Sequence, residues 1–120
     1  MSPRNWKFRL EDICEALNLI GEYIQDLDYI SWAQDRKTID AVIRNLEIIG
    51  EAANHSPDSI QEKYKEVPWF QMKGMRNLLI HEYFGVDIDV LWRTVADDLP
   101  RLKIQIQIQT IISETKELSL

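Results

Sequence analysis

Cysteine, histidine, glycine and proline are all scarce in this chain. The single cysteine, Cys14, has no partner for an internal disulfide and no second thiol for a zinc knuckle, which fits a reducing compartment and a small buried apolar side chain. Four glycines and four prolines, clustered nowhere, leave no stretch that reads as a linker or low-complexity tail. No apolar run approaches the roughly 20 residues that cross a bilayer, and Met1-Ser2-Pro3-Arg4-Asn5-Trp6 lacks the apolar stretch of a signal peptide, so a cytoplasmic protein is expected, with no membrane partner. Positive charge is also short, with 14 Lys and Arg against 20 Asp and Glu for a net charge of -6. Binding of nucleic acid by bulk electrostatics is thereby excluded, and any RNA contact has to be local.

What is present is an ordinary globular composition, 45% hydrophobic and 28% charged over 120 residues, enough for one core and hence one domain, 1–120. Leu10, Ile13, Cys14, Leu17, Ile20 and Ile24 recur at steps of three and four and predict an amphipathic helix from Phe8 to Tyr29. Ser31 is a suitable N-cap for a second helix carrying Ile39, Val42, Ile43, Leu46 and Ile49, ending near His55 at the turn signal Asn54-His55-Ser56-Pro57. Pro57 suits the first turn of a short helix, and Val67-Pro68 precedes a longer one from about Trp69 to Phe84, stopped by Gly85. Asp87 caps the next, and Pro100 implies a kink or a fresh start. Ile104-Gln105-Ile106-Gln107-Ile108 alternates like a strand. It is read as helix, because a lone strand has no pairing partner and Leu99, Leu102, Ile106 and Ile111 extend a helical face. The expected fold is an all-α, antiparallel up-and-down bundle of four to five helices.

Chemistry concentrates in Arg76-Asn77-Leu78-Leu79-Ile80-His81-Glu82-Tyr83. At about 100° per residue, His81 is turned roughly 140° from Arg76, so one helix cannot easily aim both at one phosphate. Two copies about a two-fold axis could, which ties the chemistry to a homodimer. Such a cleft could cleave RNA without metal or other cofactor. Imidazole takes the proton of a ribose 2'-hydroxyl, the oxygen attacks the adjacent phosphate, and guanidinium stabilises the developing charge. His81 near a helix C-terminus favours the protonated ring, while the same helix end repels phosphate and makes Arg76 indispensable. On physical grounds alone, a helical Arg and His beside an aromatic residue are more often a packed, hydrogen-bonded interface than a catalytic site.

Arg76-x4-His81-x-Tyr83, with polar Asn77 after the arginine, resembles the R-x4-H-x-Y signature of the HepT-like branch of HEPN domains. Arg44-Asn45-Leu46-Glu47-Ile48-Ile49-Gly50-Glu51-Ala52, Val67-Pro68-Trp69, Gly74-Met75-Arg76-Asn77, Val86-Asp87 and Asp98-Leu99-Pro100 resemble it in order. The resemblance implies a helical bundle that dimerises through the motif helix. It also implies the toxin of a type VII toxin-antitoxin pair, an endoribonuclease using Arg76 and His81 with Asn77 and Tyr83 in support. The implied partner is a MntA-like minimal nucleotidyltransferase antitoxin that silences the toxin by transferring AMP onto Tyr83. The alternative class is a non-catalytic dimeric module that binds a nucleotide or a nucleotidyltransferase.

Other features read as structural. Arg44-Asn45-Leu46 echoes the motif but has Ile49 where His81 would align, placing Arg44 on a solvated or dimer-facing side. Glu51 and His55, four apart, lack a third metal ligand, so His55 is expected to satisfy backbone carbonyls at its helix end. Trp6, Trp32, Trp69 and Trp92 read as core or interface, and Gly50 and Gly74 as points of close helix approach.

Overall fold

The computed structural model describes residues 5–82, 87–102 and 104–118, and within them the side chains of all but 77–82, 101, 102, 105, 106 and 115–118. Helices run over Trp6–Ile24 (α1), Tyr29–Ala33 (α2), Arg36–Asn54 (α3), Asp58–Lys63 (α4), Trp69–Glu82 (α5), Ile88–Arg93 (α6), Leu99–Leu102 (α7) and Ile104–Leu118 (α8), with a π-helical turn at Thr94–Asp98. No strand occurs among the described residues, so the all-α expectation holds.

The long helices owe their positions to their apolar stripes. In α3, Ile39, Val42, Ile43, Leu46, Ile49 and Ala53 are buried at steps of three and four, and each large aliphatic side chain so buried contributes about 1.5–3 kcal/mol. That stripe seats α3 between α1 and α5, while α1 also packs on α8. α1 and α3 run antiparallel, because Arg9 and Asp12 near the start of one line the same cleft as Glu47 and Glu51 near the end of the other. Trp32 of α2 is completely buried and meets Trp92 with ring centroids 5.4 Å apart, and Trp69 is buried with its indole N–H donating to the Tyr64 carbonyl. Trp32 and Trp69 are thus core, while Trp6 and Trp92 are half-buried against it.

Helix boundaries depart from expectation at three places. The first helix ends at Ile24, not Tyr29, because the chain reverses at Asp26, whose φ of 65° lies in the left-handed region that a short polar side chain tolerates. Ser31 is not an N-cap. It lies inside α2, where its N–H donates to the Asp28 carboxylate, and α3 is capped by Asp35, which accepts from both the N–H and the hydroxyl of Thr38. The two aspartates accept more strongly than a hydroxyl, and both carboxyls are held below their ordinary value by these hydrogen bonds. Among the described residues, Gly74 meets no atom within 4 Å of where a Cβ would stand, unlike Gly50.

Elsewhere the reading stands. α3 stops at Asn54, Pro57 occupies the N-cap position of α4, and the Asp87 carboxylate accepts from the N–H groups of Asp89 and Val90 to cap α6. Two tyrosine hydroxyls tie distant parts of the chain together: Tyr29 of α2 donates to Asp89 of α6, and Tyr64 to Glu114 of α8 at 2.8 Å. The Ile-Gln alternation is helical, with Ile104, Ile108 and Ile111 buried at steps of four and three. Pro100 sits just after the π turn, in which the Leu99 N–H reaches back five residues to the Thr94 carbonyl. A proline cannot donate to the carbonyl four residues earlier and clashes with it, and the wider turn relieves that conflict. The expected ends of the motif helix at Phe84 and Gly85 lie outside the described residues.

Candidate active site

Arg76 is fixed by a close contact between α3 and α5 at Gly50. A Cβ added to Gly50 of α3 would lie 2.7 Å from the Arg76 Cβ and 2.9 Å from its backbone nitrogen, distances that real Cβ atoms do not show. Only glycine lets α5 approach α3 so closely, and the base of the Arg76 side chain is pinned there.

One residue further along α3, Glu51 receives the guanidinium. Its Oε2 stands 3.3 Å from the Arg76 Nε, and its Oε1 accepts a 2.8 Å hydrogen bond from the His55 Nε2. His55 thus bonds a carboxylate and not the backbone carbonyls expected of it, because Glu51 lies one turn back on the same face of α3. The Glu51 carboxyl is held below its ordinary value of 4.5, first by the His55 hydrogen bond and, against its partial burial, by the charges of Arg76, His55 and Arg9. At 42% and 44% exposure the Arg76–Glu51 pair faces water, so it orients the side chain more than it stabilises the fold.

These residues edge a cleft of about 460 Å³ between α1, α3 and α5, lined by Arg9, Asp12, Arg44, Glu47, Ile48, Glu51, Ala52 and Arg76. Arg44 is solvated, as expected, and paired with Glu47 at 3.4 Å, but it also lines this cleft. Asn45 beside it is buried and donates to the Ala41 carbonyl within its own helix, so the Arg-Asn-Leu echo of the motif is structural. Arg9, Arg44 and Glu51 are the cleft residues that sequence reasoning passed over as functional. The spacing of Arg36, Asp40, Arg44, Glu47, Glu51 and His55 at steps of four and three marks a polar stripe on α3, which was a usable signal. Nothing local marks Arg9, which arrives from another helix.

Of the other motif residues, Asn77 and His81 have their backbone in α5, while their side chains and the whole of Tyr83 lie outside the described residues. Positions 70, 77 and 81 fall on one side of α5 at about 100° per residue. Phe70, the member of that row with a described side chain, is 85% exposed.

A family model described as "Ribonuclease HepT-like" matches residues 13–108, most of the chain and all of this cleft except Arg9 and Asp12. The chain belongs to the ribonuclease HepT-like family. It is 49% identical over 100 residues to a protein of Thermococcus cleftensis named as a probable ribonuclease HepT, covering 83% of this chain and 91% of that protein. It is 44% identical over 108 residues to a protein of Methanocaldococcus jannaschii named as a candidate RNase, covering 90% and 99%. A similarly named protein of Caldanaerobacter subterraneus is 37% identical over 98 residues, covering 82% and 88%. No solved structure matches the chain. Among the described residues of this HepT-like chain, no helix is long and apolar enough to cross a membrane.

Proposed function

We propose that this HepT-like chain is an endoribonuclease that cleaves RNA without metal, with Arg76 and His81 as its catalytic residues. The observation that carries the reading is Arg76 itself. In a family described as ribonuclease HepT-like, the motif arginine is held at its base by Gly50, tethered through Nε by Glu51, and set at the edge of a cleft. A guanidinium tethered at Nε and set at the edge of a cleft can receive phosphate oxygens and stabilise the charge that accumulates on them. His81, five residues on, serves as the base that activates the ribose 2'-hydroxyl, with Asn77 and Tyr83 supporting.

The active unit is a homodimer through α5. The exposed Phe70 on the same row as positions 77 and 81 supports this, since a large aromatic ring in water gains by being covered and the row would bring two copies of His81 to a common axis. In the cell the chain acts as the toxin of a type VII toxin-antitoxin pair. A minimal nucleotidyltransferase antitoxin silences it by AMPylation of Tyr83, which adds a phosphate and a nucleoside beside Arg76. The chain forms one domain and works in the cytoplasm.

The test is cleavage of a mixed RNA pool in EDTA by the wild type, Arg76→Ala and His81→Ala, each first shown to be a folded dimer. Cutting by the wild type that is lost in both variants supports the ribonuclease. No cutting by unmodified wild type moves the function to a non-catalytic module that binds a nucleotide or the nucleotidyltransferase.

A further inference from the structure

A chain with a net charge of -6 has no general attraction for a polyanion, so an RNA substrate needs a local foothold. Three helices each send one arginine to the same cleft: Arg9 from α1, Arg44 from α3 and Arg76 from α5. We propose that Arg9 and Arg44 form a phosphate track that holds the RNA backbone alongside Arg76, a reading that rests on the ribonuclease function above.

Three observations support it. Arg44 and Glu51 are seven residues apart on one face of α3, about 10 Å along the axis at 1.5 Å per residue. Arg76 is tethered at the Glu51 end, so the guanidinium groups are distributed along the cleft, as successive phosphates of a strand require. The Nε of Arg9 is buried with no hydrogen-bond partner among the described residues, so this side chain is oriented by packing and not by a carboxylate bonded to that nitrogen. Arg44, 72% exposed, is held by Glu47 at 3.4 Å in a solvated i, i+3 pair, a contact weak enough for a phosphate to replace.

The carboxylates in the cleft, Asp12, Glu47 and Glu51, complete the arrangement. They balance the arginines in the free protein and repel an anion that cannot engage several arginines at once. Short anions and free mononucleotides are therefore poor ligands, while an oligonucleotide spanning the cleft offsets the repulsion with several contacts. Arg9 and Arg44 act in binding and hold no part in the bond-breaking step.

The experiment uses a fluorescent RNA oligonucleotide with 2'-O-methyl groups throughout, which lacks the attacking hydroxyl and so reports binding without cleavage. Its Kd is measured by anisotropy across a salt series for the full-length wild type, Arg9→Gln, Arg44→Gln, the double Gln variant, and Arg9→Lys with Arg44→Lys. Each Gln variant is expected to reduce the slope of log Kd against log salt by about 0.7, the value for one single-strand phosphate contact, and the double variant by about twice that. The Lys variant keeps the wild-type slope, which a merely structural role for the two positions would not produce. With cleavable RNA, the Gln variants raise KM and keep kcat.

An unchanged slope in the double Gln variant, with the fold intact by circular dichroism, overturns the track, as does failure of the wild type to bind the analogue. The two readings separate cleanly. Cutting that depends on Arg76 and His81 alongside unaltered slopes sinks the track alone. Arginine-dependent slopes without any cutting support the track and sink the nuclease.

Discussion

Replacing Gly50 by alanine adds one methyl group at the point where α3 and α5 touch, and its effect can be worked out from two opposing contributions. Alanine in a helix interior is favoured over glycine by about 1 kcal/mol, so on propensity alone the variant should be more stable. The new Cβ, however, meets the Arg76 Cβ at 2.7 Å and its backbone nitrogen at 2.9 Å. These atoms belong to the helix itself and cannot swing aside like the end of a long side chain. Forcing a methyl group into such a contact costs about 1–3 kcal/mol. The net loss reaches about 2 kcal/mol, or roughly 8 °C in Tm at about 4 °C per kcal/mol for a domain of this size. Gly21→Ala is the control, because a Cβ there meets nothing within 4 Å, and it should raise Tm by up to about 4 °C. Thermal unfolding by circular dichroism, at one fixed protein concentration, compares the two. Should Gly50→Ala raise Tm as much as Gly21→Ala does, the close contact is not a constraint and the argument for a pinned Arg76 fails. In the folded variant RNA cleavage should fall as well, since a shift of about 1 Å at a catalytic group costs on the order of 100-fold in rate.

Other expectations follow from the same geometry. Glu51→Gln removes the charge that tethers Arg76 and weakens the acceptor of His55, so cleavage falls while Tm at neutral pH moves little, because the pair is exposed. The Glu51 carboxyl has a folded value below its ordinary 4.5, so its contribution is present above pH 4.5 and lost as pH falls through the folded value. A Tm profile measured into acid should therefore be flatter for Glu51→Gln than for the wild type, and identical acid limbs would refute the assignment. Burial and then Glu11 push the Cys14 thiol up to about 11, so iodoacetamide at pH 8 should leave it unmodified in the native protein and label it in urea, as mass spectrometry would read. Ile108→Ala should cost about 2–5 kcal/mol in urea unfolding and Gln109→Ala almost nothing, whereas comparable losses would contradict the helical register of α8.

The legible parts of the fold were those decided within one helix. The stripes of α1 and α3, the stop at Asn54 and the Asp87 cap each depend on residues a few positions apart, and all were readable. The error at Ser31 arose because Asp28, Ser31 and Asp35 are all capping types, and the choice among them depends on how Trp32 is buried, which is a tertiary matter. The tail shows the converse. Its alternation favoured a strand locally, but Ile104, Ile108 and Ile111 also lie on one helical face, and packing on α1 decided between the two. Of the candidate site, Arg76 was legible through its motif and the resemblance it carries. The cleft around it was not, because Arg9 comes from residues far away in the chain and Gly50 declares its role only through the helix it touches.

The π turn before Pro100 bears on how this chain can change length. Leu91 and Ile104 are both buried although thirteen residues separate them, which in an unbroken α-helix would set them about 140° apart around the axis. The two segments turn inward toward different neighbours, α6 onto α2 and α8 onto α1, with the wide turn at Thr94–Asp98 between them. Losing a residue in the middle of α1 or α3 would rotate everything downstream by about 100° and carry a buried stripe into water. Losing one within Thr94–Asp98 converts a wide turn into an ordinary one and leaves its flanks in phase. Among its described helices, this is where the lineage can gain or drop a single residue and keep its core.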